Sequence, residues 1–335
     1  DLKPERTNSF EVGMNMRFLK NFELDVTYYN AKTMNQTFNP ELPVGEYARI
    51  YIQTGAVRNQ GLELALNYNN TWKDFTWNTG VTYSMNKNKI LTLADNAINP
   101  ITREKFSISS LNMGGLGSTR FILKEGGSMG DIYSLMDLKR DANGAVYIDE
   151  NNSVVTESLE ANNYIKLGSV LPKGNLAWRN NFSWKNINVA FLVSARLGGV
   201  VFSRTQAVLD NFGVSEASAA ARDKGYVSVN GNDRVNPEGW YSVVAGGTAV
   251  PQYYIYSATN IRLQEASIGY TIPRKWLGNV CDIKVSLIGR NLWMIYNKAP
   301  FDPESVASTD NFYQGIDYFM MPSLRNIGFN LSFKF

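Results

Sequence analysis

The sequence predicts an all-β protein: a transmembrane antiparallel β-barrel with long extracellular loops and short periplasmic turns. The end of the chain carries the first observation, a strict alternation of apolar with small or polar residues. Its apolar members, which are expected to form a barrel-closing C-terminal strand, are Ile327, Phe329, Leu331, Phe333 and Phe335. The second observation is that the same two-residue period recurs along the chain, as in strands with one apolar and one polar face. The third is that short and long connections alternate between these segments.

The composition agrees with a barrel without requiring one. The 335 residues contain no run near the roughly 18 apolar residues that a spanning helix needs. A chain that crosses a membrane without such helices must use a closed sheet, because only then are all backbone groups paired in lipid. The 18 Tyr, 17 Phe and 7 Trp suit the aromatic girdles of a barrel, but they suit a large soluble β protein equally well.

Charge and residue types exclude several functions. The net charge of +3 is too small to indicate nucleic-acid binding. The chain has no histidine, which removes Ser-His and Cys-His nucleophiles and His-ligated metal sites. The single cysteine, Cys281, excludes an internal disulfide framework. No metal or cofactor is expected, and a barrel hydrolase would need a carboxylate pair or a Ser-Lys arrangement that no spacing singles out.

Nine strands are predicted in order. They cover about 9–18, 22–28, 62–68, 75–84, 176–184, 187–193, 260–272, 280–294 and 326–335. The alternation in the seventh strand slips near Gln264 and Glu265, which predicts a β-bulge. An inner aromatic belt is expected beside the short turns, formed by Phe18, Phe22, Trp72, Phe75, Trp184 and Trp276.

The connections orient the chain. Short ones fall at 19–21, 71–74, 185–186 and 273–279, and long ones at about 37–57, 91–175, 198–259 and 295–322. Short turns are periplasmic in bacterial barrels, so the first strand should run inward and the carboxyl terminus should be periplasmic. Complete bacterial barrels have an even number of strands. We therefore expect further strands before residue 1, and a chain that cannot close a cylinder alone.

Two long connections show internal order. Residues 139–148 predict a hairpin around Asn143-Gly144, which is favoured over a calcium loop because the acidic spacing misses the EF-hand pattern. A short Ala-rich helix is predicted from Ser215, as its cap, to about Gly225. The 198–259 connection also carries five aromatic residues that either stack on sugar rings or a partner, or pack the loop on itself. These contact candidates are Trp240, Tyr241, Tyr253, Tyr254 and Tyr256.

Several segments resemble a known family. The start, DLKPER at 1–6 with SFEVG at 9–13, resembles TonB-dependent outer-membrane transporters. Further segments narrow the resemblance to the C-terminal barrel of the SusC/RagA branch. They include VRNQGLEL at 57–64, ATNIRLQE at 258–265, GRNLW at 289–293, DPE at 302–304 and PSLRNIGF at 322–329. The resemblance spans nearly the whole chain.

The resemblance implies a function. Residues 1–335 would be the C-terminal part of a barrel of about 22 strands around a plug, embedded in outer-membrane lipid. It would import a nutrient, an oligosaccharide rather than a peptide, with a SusD-like surface lipoprotein and with TonB acting through the N-terminal part of the same transporter. Polar residues would face the plug or substrate in the lumen, or else satisfy one another. These lumen-facing candidates are Glu11, Arg17, Glu63, Arg179, Arg196 and Arg262. The alternatives are a passive porin and an outer-membrane hydrolase.

Overall fold

A nine-stranded antiparallel sheet is the main element of the protein. The computed structural model describes residues 4–38, 52–98, 103–247, 249–278, 280–308 and 313–334. The nine strands, in both chain and sheet order, are β1 Arg6–Phe18, β2 Phe22–Phe38, β3 Ile52–Trp72, β4 Phe75–Thr92, β5 Gly174–Trp184, β6 Ile187–Leu197, β7 Asn260–Ile272, β8 Asp282–Asn297 and β9 Asn326–Lys334. Within the described residues, β1 pairs with β2 alone and β9 pairs with β8 alone, so β1 and β9 are the edges of the sheet. The predicted strand order is confirmed, whereas Phe335 lies outside the described residues.

The register separates the two faces. One row of paired residues crosses β1 to β8 through Met16, Leu24, Leu66, Val81, Trp178, Val193, Leu263 and Trp293, all of them apolar. A row on the other face crosses β2 to β8 through Thr27, Glu63, Ser84, Asn175, Arg196, Asn260 and Asn297, all of them polar. Because side chains alternate between faces, this register gives a continuous apolar face and a continuous polar face.

Two indole groups on the apolar face donate hydrogen bonds within it. Asn180 lies between Trp178 and Phe182 on β5 and is 1% exposed. Its Oδ1 accepts a hydrogen bond from the Trp77 indole at 3.1 Å. The Trp178 indole donates to Thr79 Oγ1 at the same distance. These bonds pair the two indoles and the Asn180 oxygen, whereas the buried Asn180 Nδ2 has no hydrogen-bond partner within the described residues.

Aromatic residues gather at the short-turn end of the sheet. The rings of Phe18 and Phe22 stack at 5.4 Å, and those of Trp72 and Phe75 stack at 6.0 Å. The short connections take left-handed residues, among them Lys20 (φ 62°), Lys73 (φ 54°) and Lys185 (φ 50°). The predicted aromatic belt and turns are therefore confirmed at this end.

Most of the long connection expected at 37–57 lies outside the described residues. At the other end of the sheet, three long connections build a structure that we call the loop lobe. We call these connections first (93–173), second (198–259) and third (298–325). Its strands are Ala94–Ile98, Lys105–Ile108, Ser110–Leu116, Thr119–Lys124, Asp131–Ser134, Met136–Leu138, Thr156–Ser158, Ile165–Ser169, Val200–Ser203, Val227–Val229, Asp233–Val235, Ile255–Ser257 and Ile316–Asp317. Its helices are α1 Arg204–Asn211, α2 Glu216–Lys224 and α3 Pro237–Val244, with 3-10 turns at Ala161–Asn163 and Pro251–Tyr253. A third 3-10 turn, Arg274–Leu277, lies at the short-turn end.

All three long connections contribute to one apolar core of the loop lobe. Phe121 and Leu138 come from the first, Phe202 and Val244 from the second, and Ile316 from the third. All five are 2% exposed or less, so the connections fold together rather than as separate loops. No described helix has the length and apolar character required to span a membrane.

The strands and helices differ from expectation in two respects. β2, β3 and β4 have 17, 21 and 18 residues, more than the 9–11 or so that cross a bilayer. Their loop ends instead help to form a second core with the first long connection, in which Ile90, Leu93 and Leu123 are fully buried. The 198–259 connection contains three helices, of which the sequence analysis predicted α2 and missed α1 and α3. The expected helix is confirmed as α2, as is the hairpin, in which Arg140 bridges Val146.

Candidate functional site

The loop lobe contains the first candidate site, and the caps of its helices position it. Ser203 is the N-cap of α1: its Oγ accepts from the Gln206 N–H at 3.0 Å and donates to Asp317 Oδ2 at 2.6 Å. Ser215 caps α2 by accepting from the Ser218 N–H at 3.0 Å, and Gly225 ends this helix with φ 84°. Asn236 Oδ1 accepts from the Glu238 N–H at 2.8 Å at the start of α3.

The other end of α3 is held by Arg204. Its guanidinium donates to the carbonyl oxygens of Ala245, Gly246 and Gly247 at 3.2, 3.0 and 3.1 Å. A cation at the carboxyl end of a helix is favoured by the helix dipole. Burial lowers the pKa of Arg204, an effect that nearby tyrosines oppose. These contacts fix α1 against α3.

A buried carboxylate lies between these helices. Asp210, at the end of α1, is 6% exposed. Its Oδ2 accepts from the Tyr254 hydroxyl at 3.0 Å, and its Oδ1 accepts from Gln206 Nε2 at 3.1 Å. Burial, together with the Asp210 charge, raises the pKa of Tyr241 and Tyr254, and raises that of Tyr256 to about 12. The three tyrosines therefore stay protonated, and Tyr254 donates a hydrogen bond to the carboxylate.

A groove opens beside Asp210. It has a volume of about 490 Å³, and its lining includes Asp210, Phe212, Arg222, Glu238 and Tyr241. Two aromatic side chains thus share one groove with two carboxylates and a guanidinium. Pockets that combine aromatic faces with a few fixed polar groups are typical of sites for small polar ligands.

The predicted aromatic residues divide between surface and interior. Tyr241 lines the groove, and Tyr253 is 39% exposed while its ring meets that of Trp240 edge-on at 5.2 Å. Tyr256 is partly exposed and packs against Phe301, also edge-on, at 5.4 Å. Tyr254 is 2% exposed, and its hydroxyl is bonded to Asp210, so its role is internal.

The polar face of the sheet is the second candidate site. The pairing register puts the six predicted lumen-facing residues on this face: Glu11, Arg17, Glu63, Arg179, Arg196 and Arg262. Arg17 and Arg179 line one cavity of about 690 Å³ near the short turns, together with Lys20 and Glu23. Glu63 and Arg196 line two smaller cavities nearer the loop lobe, of about 330 and 290 Å³. Glu11 lies exposed on β1.

Arg262 was expected to face the plug or substrate, but its guanidinium is buried. It is 5% exposed, and its Nη2 lies 2.9 Å from Asp302 Oδ1 and 3.4 Å from Glu304 Oε2. Its Nε donates to Asn260 Oδ1 at 3.1 Å. Arg262 therefore holds the third long connection against the polar face and presents little surface to a ligand.

Asp302 is a member of this network that sequence reasoning did not select. Burial by itself would raise the pKa of Asp302, but hydrogen bonds from Ser323, Arg262 and the Glu304 N–H, and the Arg262 charge, outweigh it and lower the pKa. The carboxylate is therefore charged and paired. Both partners lie in segments that the sequence marked, 258–265 and 302–304, but no pattern shows that they meet. The described residues contain no cluster of three or more side chains suited to a metal ion.

Comparisons with known proteins agree with this architecture. A family model described as "TonB dependent receptor-like, beta-barrel" matches residues 1–189. TonB-dependent receptor P3 of Formosa agariphila is 26% identical, with 100% of this chain covering 34% of that protein. TonB-dependent receptor P26 of the same organism is 27% identical, with 99% of this chain covering 34% of it.

Solved structures share the fold. "Structure of the RagAB peptide transporter" matches with a TM-score of 0.72 at 16% identity, over 99% of this chain and 35% of that one. The RagAB peptide importer in its "open-open" state matches with a TM-score of 0.69, also at 16% identity, over 100% and 35%. The chain spans about a third of the length of these curated and solved relatives. The family model covers more than half of the chain, and the chain therefore belongs to the TonB-dependent receptor-like β-barrel family.

Proposed function

We propose that this chain is the C-terminal part of a transporter that imports a nutrient across the outer membrane with energy from TonB. Barrels of this family lie in the outer membrane. The observation that carries the proposal is the nine-stranded sheet with one apolar and one polar face, whose long connections 93–173, 198–259 and 298–325 gather in one lobe. The apolar face meets lipid, the polar face meets the lumen, the loop lobe is extracellular, and the carboxyl terminus is periplasmic.

The proposed substrate is an oligosaccharide rather than a peptide. The groove beside Asp210 supports this, because Tyr241 and Phe212 offer aromatic faces while Arg222 and Glu238 offer hydrogen bonds at the edge. A sugar ring has an apolar face and a polar rim, and so matches this combination. The RagAB relatives are named for peptides, but a likeness at 16% identity concerns the fold alone.

The proposed partners follow from the same arrangement. A SusD-like lipoprotein on the loop lobe would hold the substrate over the barrel. TonB would act through the N-terminal part of the transporter, and Arg17 and Arg179 would line the route through the lumen or contact the plug there. Tyr253 and Tyr256 remain candidates for contact with substrate or partner, with Trp240 supporting the Tyr253 ring.

Uptake by whole cells tests the proposal. Cells with the full-length transporter and cells lacking it are given fluorescent oligosaccharides and fluorescent peptides of similar mass, with and without a protonophore. We expect transporter-dependent uptake of an oligosaccharide that stops when the proton gradient is removed. Uptake that persists without the gradient indicates a passive porin. Cleaved products outside the cell without uptake indicate a hydrolase, and uptake of peptides alone refutes the substrate class.

A matched pair of variants tests the groove. Tyr241→Ala should lower oligosaccharide uptake about three- to tenfold at limiting substrate, since it removes one stacking face. Tyr147→Ala is the control, because Tyr147 is 41% exposed elsewhere on the loop lobe and packs under Lys139. Equal uptake by both variants would exclude the groove from substrate capture. Copurification of an identified SusD-like lipoprotein with the wild type tests the partner.

A further inference from the structure

A groove interrupts the apolar face across β6 to β9. Its volume is about 590 Å³, and its lining is almost entirely apolar. Three side chains on its rim, Leu287, Trp293 and Ile327, are 54%, 62% and 70% exposed. Ala266 and Gly289 lie opposite each other in the pairing register and line it as well. The apolar face is thus not uniform here.

An irregularity in the sheet forms the groove. Leu263 pairs with Trp293, and Glu265 pairs with Arg290. Gln264 of β7 therefore lies opposite two residues of β8, Asn291 and Leu292, and these three residues are outside the pairing register. Asn291 takes a left-handed conformation (φ 50°) within this bulge. Its Oδ1 accepts from Gln264 Nε2 at 3.1 Å, and its Nδ2 donates to the Leu324 carbonyl at 3.1 Å. The bulge is therefore held by specific hydrogen bonds and is a fixed feature of the wall.

Gly289 lets the Leu292 side chain lie close to the backbone of β8. A Cβ atom at this position would lie 2.5 Å from Leu292 Cδ2, so the Leu292 side chain occupies the space that a larger residue would need. Ala266, opposite, is also small. Two small residues beside a bulge leave a depression between the exposed side chains of the rim.

Two basic residues lie close in the sequence to residues that line the groove. Its lining residues on β7 and β8 lie around the middle of these strands, and Ile295 is the lining residue of β8 nearest to the long connections. Just beyond, Lys298 follows β8 and Arg325 precedes β9, and both are exposed. These cations lie within three residues of Ile295 and Ile327, which line the groove. Two positive charges therefore follow the lining residues Ile295 and Ile327 closely in the chain, on the side of the long connections.

We propose that this groove binds one acyl chain of a phosphorylated lipid of the outer leaflet, such as lipid A, with a phosphate group near Lys298 and Arg325. The groove is continuous with the face that meets lipid, so acyl chains are the apolar groups that reach it. Basic side chains at the membrane surface attract anionic headgroups. The choice of leaflet depends on the proposed function, because it assumes that the loop lobe is extracellular.

Native mass spectrometry of the full-length transporter in detergent tests the proposal, with hexa-acylated lipid A and phosphatidylethanolamine as probes. Ala266→Phe should fill the groove and lower lipid A retention about tenfold. Val81→Phe, on the same face of β4, is the matched control and should change retention less than about twofold. Heat-modifiable electrophoretic mobility verifies that each variant is folded.

A second variant tests the headgroup. Lys298→Gln combined with Arg325→Gln should weaken lipid A retention about tenfold or more while leaving phosphatidylethanolamine unchanged. Equal retention by Ala266→Phe and wild type overturns the site. A preference for phosphatidylethanolamine that Ala266→Phe abolishes overturns the choice of leaflet and lipid. A lipid-free dimer that this substitution dissociates means that a second copy fills the groove.

The lipid measurement and the uptake measurement fail separately. A transporter that imports normally but shows no preference for lipid A overturns this proposal and leaves the proposed function intact. Selective lipid A retention with no energy-dependent uptake overturns the proposed function and supports the lipid site.

Discussion

Substitution of Asp302 by Asn should release the third long connection from the polar face of the nine-stranded sheet. The Arg262 and Asp302 side chains are 6% and 8% exposed and lie 2.9 Å apart. Removing one partner of a buried ion pair costs about 3–5 kcal/mol, because the other charge stays buried. Glu304 lies 3.4 Å from the same guanidinium and is partly exposed, so it compensates in part. We expect about 3 kcal/mol, which is on the order of a hundredfold in the equilibrium for local opening.

Hydrogen exchange followed by mass spectrometry measures this opening in the full-length protein. Amides in 298–308 and 320–326 should exchange on the order of a hundredfold faster in Asp302→Asn, while those of β4 and β5 should not change. Glu23→Gln is the matched control, because the Arg17–Glu23 pair has a similar distance, 3.1 Å, with side chains 80% and 35% exposed. Exposed pairs contribute at most about 1 kcal/mol. Exchange within threefold of wild type in Asp302→Asn would refute the anchoring role of this pair.

Three further outcomes are expected. The folded-state pKa of Asp302 is lowered below its ordinary 3.8, so its contribution to stability is complete above pH 3.8 and is lost as the pH falls through the lowered value. Pepsin cleavage within 298–325 should therefore rise only below about pH 4. Asp302→Asn should abolish this dependence on pH. Ser215→Ala removes the N-cap of α2 at a cost of about 1 kcal/mol, which should speed exchange in 216–224 about fivefold, whereas Ser215→Thr should restore most of the protection. Tyr254→Phe leaves the buried Asp210 carboxylate with one donor fewer, at about 1–3 kcal/mol, and should speed exchange in α1 about tenfold, while Tyr147→Phe leaves it unchanged.

The nine-stranded sheet was predictable because the two-residue alternation that indicates each strand lies within that strand. A strand that meets lipid on one face and water on the other must alternate along its own length. For β7, the predicted bounds coincide with those observed, Asn260–Ile272, and the loss of phase at Gln264 marks the bulge that the structure contains. The cap of α2 was likewise visible, since Ser215 stands before an Ala-rich run and Gly225 after it.

The helices of the loop lobe and the buried polar pairs depend on contacts between residues far apart in the chain, which the sequence pattern does not reveal. α1 and α3 have eight residues each and carry their own caps, Ser203 and Asn236. Helices this short are marginal alone and form here because the lobe core covers one side of them. Asn180 interrupts the alternation of β5, but its partner, Trp77, is 103 residues away in the chain. Arg262 and Asp302 meet only after β7 and β8 pair, so the sequence presents them as separate polar residues.

The loop lobe is attached to the nine-stranded sheet in two ways: through an apolar core shared with the loop ends of β2, β3 and β4, and through polar contacts with β6 and β7. Its interior is apolar and draws on all three long connections. Its contacts with β6 and β7 include polar ones: Arg196 Nη2 donates to the Val170 carbonyl at 2.7 Å, and Arg262 pairs with Asp302. Polar anchors of this kind break when one charge is lost, whereas an apolar core gives way only over many contacts at once. Under the proposed import function, loss of these anchors would release the lobe on the side of β6 and β7, while the apolar core shared with β2, β3 and β4 stays in place. Asp302→Asn therefore alters the attachment of the lobe without altering the groove beside Asp210, which allows the two contributions to uptake to be measured separately.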